Sequence, residues 1–204
     1  IYAFVMAYVI ALGGASGSGK TTLARHLLEH LGADGVRVPL DRILLHGSNF
    51  WPEPSPPLGM DNNPEPLNEL ADAVQKLKNG QRAVFRPYSF LDRAYDKSEI
   101  VIESKRVIVL DGTLAWMTER LREIMNMRVF VDCPLDLCRR RRIRRDGIFV
   151  HARWPLIQAH FERWLAGLMQ YADLVLQNEG ADSDLEPRAI DLARRALSEA
   201  SDGS

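Results

Sequence analysis

An apolar run, Tyr8–Leu12, gives way to GASGSGKT, Gly14–Thr21, and a helix-like pattern follows over Lys20–Leu31. This is G-x-x-x-x-G-K-[ST] set between a strand and a helix. Glycine lets the backbone turn so that successive N–H groups point inward around phosphate oxygens, where a Cβ would obstruct. The helix opening near Lys20 adds the positive end of its dipole. Gly14, Ala15, Ser16, Gly17, Ser18, Gly19, Lys20, Thr21 and Thr22 are therefore expected to hold the phosphates of a nucleotide. Lys20 should reach the β- and γ-phosphates, and the Thr21 hydroxyl should ligate Mg²⁺.

The rest of the chain alternates in the way such a loop requires. Strand-like runs occur at Tyr8–Leu12, Val36–Leu40, Ala83–Phe85, Val107–Leu110, Arg128–Val131 and Leu174–Leu176. Helix-like stretches lie at Lys20–Leu31, Pro66–Lys78, Thr118–Met125, Leu135–Arg145, Pro155–Tyr171 and Pro187–Glu199. This order predicts an α/β fold, a mainly parallel sheet with helices on both faces. At 204 residues the chain is expected to form a single domain, 1–204, burying roughly 70% of its unfolded surface. One stretch, residues 47 to 66, holds six of the eleven prolines. It reads either as a stiff surface excursion or as an insertion covering a substrate, about 46–66, since long loops in compact domains are often functional.

Two carboxylates fall where ligands of parallel sheets bind, at the C-terminal edge. RVIVLDG ends an apolar strand on Asp111, placed to hold Mg²⁺ directly or through water; the alternative is an Asp closing a strand into a turn. Asp41, in PLDRILLH, follows the second strand, where it can deprotonate an attacking alcohol or cap the next helix, or both. No Asn-Lys-x-Asp guanine reader occurs, which disfavours a GTPase switch.

Residues 138–146, CRRRRIRRD, hold six arginines. A charge run is ordinarily a solvated helix face, and a basic patch can grip nucleic acid. Yet the chain is nearly neutral, 26 Lys plus Arg against 27 Asp plus Glu, which argues against a nucleic-acid binder. On a helix, Arg141 and Arg145 share a face with Arg142 beside them, as a lid neutralising a transferring phosphoryl group would need. Arg139, Arg140 and Arg144 are expected outside, solvated or paired. The two cysteines, Cys133 and Cys138, are spaced for neither a redox nor a zinc motif and are expected as reduced thiols of a cytoplasmic protein. The apolar residues 1–12 are too short to span a bilayer and lack signal-peptide flanks, so no membrane association is expected. His26 and His30 are expected at the surface rather than on a metal, and Trp154 and Trp164 in packing. Phe50 and Trp51 are candidates to cover an acceptor ring, and His46 lies in the same loop.

Together, GGASGSGKTTLA, PLDRILLH, NNPEPLNEL, RPYSF, VIVLDGTLAW, RRIRRD and YADLVLQNEG resemble, in order, the uridine kinase and phosphoribulokinase group of P-loop kinases over roughly residues 8 to 181. The resemblance implies a P-loop NTPase three-layer sandwich with a helical lid at about 138–154, ATP and Mg²⁺ as donor and cofactor, and a small-molecule phosphoryl acceptor. By the same resemblance Asp41 is the general base and Asp111 takes the position of the family's Glu. Arg141, Arg142 and Arg145 fall on the lid, Arg142 also near the acceptor, and Asp61 or Asn62, Tyr88 and Arg93 fall at acceptor-binding positions. The stretch CRRRRIRR with GIFVHARWP also resembles the lid of nicotinamide riboside kinases. Cys138 stands where uridine kinases carry a substrate-contacting Arg, and Ile43, Leu44 and Leu45 where aromatic residues follow the catalytic Asp. The implied reaction is phosphoryl transfer to a metabolite hydroxyl, first the 5′-OH of a ribonucleoside, with nicotinamide riboside or a sugar phosphate as the alternative. A regulatory ATP-binding module is the rival from another class. The oligomeric state stays open, a homo-oligomer included.

Overall fold

The computed structural model describes residues 6–43, 65–85, 88–89, 94–95, 98–147, 149–180 and 182–202. Five parallel strands form the central sheet in the order β2 (Gly35–Pro39), β7 (Val107–Asp111), β1 (Tyr8–Gly13), β8 (Met127–Asp132) and β9 (Leu174–Gln177). Successive side chains of a strand point to opposite faces. Val9, Ala11, Val38, Ile108, Leu110 and Phe130 join one core, and Ile10, Leu12, Val107, Val109, Val129 and Val131 join the other. Both faces of the inner strands are covered, which is why β1 and β7 read as continuous apolar runs rather than alternating ones.

On the second face pack α1 (Lys20–Leu31) and α7 (Glu186–Asp202), through Leu23, Leu27, Ala189 and Leu192. The first face is closed by α3 (Glu65–Lys78), α4 (Glu119–Ile124) and the segment 161–171. The Thr118 hydroxyl caps α4 by accepting the Leu121 N–H at 3.3 Å. Helices α5 (Leu135–Asp146) and α6 (Phe149–His160) form a small third cluster in which Cys133, Cys138, Val150 and Trp154 close against Ala15 of the phosphate loop.

Several expectations shift. Leu40 leaves the second strand to open α2 (Leu40–Ile43), a single turn. Ala83–Phe85 (β3) lies outside the main sheet, antiparallel to Ile100–Ile102 (β6), with Val84 opposite Val101 and both exposed. A second short pair joins β4 (Tyr88–Ser89) to β5 (Ala94–Tyr95). The expected helix Pro155–Tyr171 instead starts at Phe149, carries Pro155 inside, and passes through a π-helical turn at Phe161–Leu165 into a 3₁₀ stretch, Ala166–Tyr171. Proline has no N–H to give to the preceding turn, so it could only be read as a start. His26 is buried on α1 rather than at the surface, its Nδ1 3.2 Å from Glu29 Oε2, while His30 is exposed as expected. No helix among the described residues is long and apolar enough to cross a membrane.

Candidate active site

The central strand β1 ends at Gly13, where the chain turns into the phosphate loop. A Cβ at Gly13 would lie 2.5 Å from the ring of Trp116, and one at Gly14 would strike the Val131 carbonyl. Gly17 has φ +92°, and its Cβ would sit 2.7 Å from the Cys138 carbonyl oxygen of α5. The loop therefore needs glycine both for its turn and because the arginine helix lies against it. Lys20 is buried and its Nζ donates to the carbonyls of Gly14 and Ala15 at 3.1 and 2.9 Å, curling back over the loop it belongs to. Asn178, just past β9 and also buried, donates from Nδ2 to the Ser18 carbonyl at 2.6 Å and braces the loop from below.

Thr21 and Asp111 meet at the first turn of α1, where the Thr21 hydroxyl donates to Asp111 Oδ2 at 3.0 Å. The Asp111 carboxylate is almost wholly buried, and its Oδ1 has no hydrogen-bond partner among the described residues. A buried carboxylate oxygen left open beside a hydroxyl is the donor set a hard divalent cation takes. Among the described residues no group of three or more His, Cys, Asp or Glu is placed to hold a metal. Mg²⁺ is commonly held by one or two protein oxygens together with substrate phosphates and water. These residues fit the ion.

Arg37, which no motif marked, also reaches this carboxylate: its Nη2 pairs with Asp111 Oδ2. Arg37 and Asp111 lie on neighbouring strands in the register Arg37↔Val109 and Pro39↔Asp111, so both project to the α1 face. An arginine inside the β-branched run Val36–Leu40 was the signal that could have marked Arg37, though not its partner. Asp41 follows Pro39 by two residues and so leaves the sheet at the same edge as Asp111. Its side chain and that of Tyr88, together with Asp61, Asn62, Arg93, His46, Phe50 and Trp51, lie outside what is described.

The arginines divide along α5. Arg141 donates from Nη2 to the Gly180 carbonyl at 2.6 Å and from Nη1 to the Ser18 carbonyl at 3.5 Å. Arg142 Nη1 donates to the Ser16 hydroxyl, and its Nε lies 2.7 Å from Asp146 Oδ2. Arg145 pairs with the same carboxylate at 2.7 and 3.0 Å. The hydrogen bond from Arg145, aided by the charge of Arg142, holds the Asp146 carboxyl below the usual carboxylate range. Arg139 turns away to His151, 2.9 Å distant, as expected of an outer arginine. Arg140 and Arg144, expected outside, line the same cleft of about 630 Å³ as Lys20, Thr21, Thr22, Arg141, Arg142 and Arg145, although Arg140 also pairs with Asp136 at 2.5 Å. Both cysteines are free and buried, Cys138 on this helix and Cys133 just before it, and burial, with Cys133 alongside, pushes the Cys138 thiol up to about 12. Trp154 and Trp164 pack, Trp154 donating to Gln158 at 3.2 Å.

A buried phosphate loop, a hydroxyl–carboxylate pair and an arginine helix thus share one sheet edge, an arrangement that suits binding and transferring a phosphoryl group. The comparisons agree with it. The profile of the Phosphoribulokinase / Uridine kinase family matches residues 60–183. Uridine kinase of Enterobacter sp. (strain 638) is 31% identical over 205 residues, covering 94% of each chain. Uridine kinase of Cronobacter sakazakii (strain ATCC BAA-894) is 32% identical with the same coverage. Among solved structures, that of a possible uridine kinase from Bacillus stearothermophilus superposes with a TM-score of 0.58 at 19% identity, over 84% of this chain and 89% of the other. Shikimate kinase from Acinetobacter baumannii superposes at 0.51 and 18% identity, over 95% and 93%. The likeness to both establishes the same three-layer α/β fold. The chain belongs to the phosphoribulokinase / uridine kinase family and is a phosphotransferase with a hydroxyl acceptor.

Proposed function

We propose that the protein transfers the γ-phosphoryl group of ATP to the 5′-hydroxyl of a ribonucleoside of the uridine or cytidine type. The observation that carries this reading is the gathering of the phosphate loop, the Thr21–Asp111 pair and the arginines of α5 around one cleft, with Asp41 leaving the sheet beside Asp111. The nucleoside is supported by relatives named uridine kinase that align over 94% of the chain.

In this reading the backbone N–H groups of Gly14–Thr21 and the ammonium of Lys20 bind the donor phosphates, and Lys20 leaves the Gly14 and Ala15 carbonyls to do so. Thr21 and Asp111 hold Mg²⁺, which when bound neutralises phosphate oxygens as a Lewis acid. Asp41 accepts the proton of the acceptor hydroxyl as its oxygen bonds to the γ-phosphorus and the β–γ bridging bond breaks. Arg141, Arg142 and Arg145 then exchange Gly180, Ser18, Ser16 and Asp146 for the equatorial oxygens of the transferring group. The segment 46–66, with Asp61, Asn62, Tyr88 and Arg93, holds the acceptor, and the lid, 138–154, closes over it within one domain, 1–204. Closure excludes water and suppresses wasteful hydrolysis.

The test is ADP release with ATP and Mg²⁺, acceptors being offered singly: uridine, cytidine, nicotinamide riboside, ribose and a pentose phosphate. Release that requires uridine or cytidine is expected. Release with a pentose phosphate alone would overturn the nucleoside reading, and hydrolysis indifferent to every acceptor would overturn transfer itself.

A further inference from the structure

The pairing of Arg37 with Asp111 puts a positive charge on the carboxylate that the reading above assigns to the metal. The two partners differ in a way that gives the pair a direction. The Asp111 side chain is 2% exposed, whereas that of Arg37 is 36% exposed. Asp111 is fixed at the end of a central strand and cannot reach water, while the guanidinium can swing to solvent. The hold is also one-pronged. Only Nη2 of Arg37 bonds Asp111, and the buried Arg37 Nε has no hydrogen-bond partner among the described residues, so this lacks the two parallel bonds of a full arginine fork. Asp111 Oδ1 meanwhile has no hydrogen-bond partner among the described residues. A buried carboxylate without a counter-charge would be costly to the metal-free fold. A counter-charge held by one bond, with a route to water, meets that need and remains replaceable.

We propose that Arg37 is a positioning residue that serves as the resident counterion of Asp111 in the metal-free site and is displaced when the magnesium nucleotide binds. It thereby weakens the hold of the metal on the site. The inference rests on Thr21 and Asp111 forming the metal site. Its consequence is a coupling: because Arg37 and the metal compete for one carboxylate, removing the arginine strengthens the dependence of nucleotide binding on Mg²⁺, and keeping the charge preserves it.

The experiment measures the affinity of the full chain for N-methylanthraniloyl-ADP by fluorescence, in excess EDTA and in excess Mg²⁺. The ratio of the two dissociation constants is the metal coupling. In Arg37→Gln the ratio is expected to rise about ten-fold over the unsubstituted protein, within the ordinary span of such couplings. Arg37→Lys is expected to keep the original ratio, which a role in folding alone would not require. Asp111→Asn serves as the control. If it abolishes the coupling while Arg37→Gln leaves the ratio unchanged, the role of Arg37 is overturned and the metal site stands. If Asp111→Asn keeps the full coupling, the metal site itself is wrong. Should Arg37→Gln fail to fold, nitrogen NMR of the Arg37 guanidinium in the unsubstituted protein decides. Its restricted rotation is expected to persist with ADP in EDTA and to be lost with ADP and Mg²⁺; persistence in both would overturn the inference.

Discussion

Single side chains carry the most direct expectations. Asp41→Asn removes the proposed proton acceptor and leaves the sequence of the phosphate loop unchanged. It should lower kcat by about 10²–10⁴-fold and leave the affinity for N-methylanthraniloyl-ADP unchanged; a parallel loss of nucleotide binding would assign Asp41 a structural role instead. Asp173 is a structural counterpart. It accepts from the Arg128 backbone N–H at 2.7 Å and from the guanidinium at 2.9 and 2.7 Å, tying β8 to the start of β9. The hydrogen bond from the Arg128 side chain holds its carboxyl below the usual range. A depressed carboxylate stabilises the fold above its unfolded value and loses that contribution as pH falls through its folded value. Asp173→Asn should therefore cost about 1 kcal/mol at neutral pH, since the pair is partly exposed. The gap to the unsubstituted protein, read from urea midpoints, should close as pH drops below about 4.

Among elements, α5 and the Trp116 turn show what binds the site to the fold. Trp116 is 1% exposed, seats under Gly13, and donates from Nε1 to the Leu168 carbonyl at 3.1 Å. Trp116→Ala should destabilise by about 3–5 kcal/mol in urea unfolding, because the cavity opens where β1 enters the loop. Arg142→Ala, by contrast, removes a contact to the loop serine from a half-exposed helix. Its effect should appear in rate, on the order of a 10³-fold loss, with little change in urea midpoint. The first helix was legible to the residue, Lys20–Leu31, because the loop glycine and the Gly32 stop bracket an amphipathic run. The hairpins β3–β6 and β4–β5 were not, since strands of two or three residues carry no period to read. Helical spacing put Arg141, Arg142 and Arg145 together, facing ATP and the acceptor, but it could not show that Arg140 and Arg144 also border the cleft. That depends on how α5 lies across the loop, a tertiary contact set by Gly17 and Cys138.

Across the whole molecule, the parallel sheet and its two covered faces follow from strands apolar on both sides, and the Gly14–Thr21 motif located the cleft. The Arg37–Asp111 pair lay beyond sequence reading because it depends on strand order. β2 and β7 are distant in the chain and become neighbours only in the folded sheet. Binding at the cleft draws on the loop, α1, α5 and the turn after β9 together, so a nucleotide should stabilise the entire fold. At 100 times its dissociation constant, Mg²⁺·ADP should add about 2.7 kcal/mol, read as a raised urea midpoint. The most direct measurement is phosphorus NMR of the protein incubated with ATP, Mg²⁺ and uridine. The expected spectrum gains ADP and, in equal amount, one phosphomonoester signal coupled to the 5′ methylene protons of the nucleoside, both growing in about 10²–10⁴-fold more slowly with Asp41→Asn. Inorganic phosphate as the sole new species beside ADP, or a spectrum unchanged despite demonstrated nucleotide binding, would contradict transfer to the nucleoside hydroxyl.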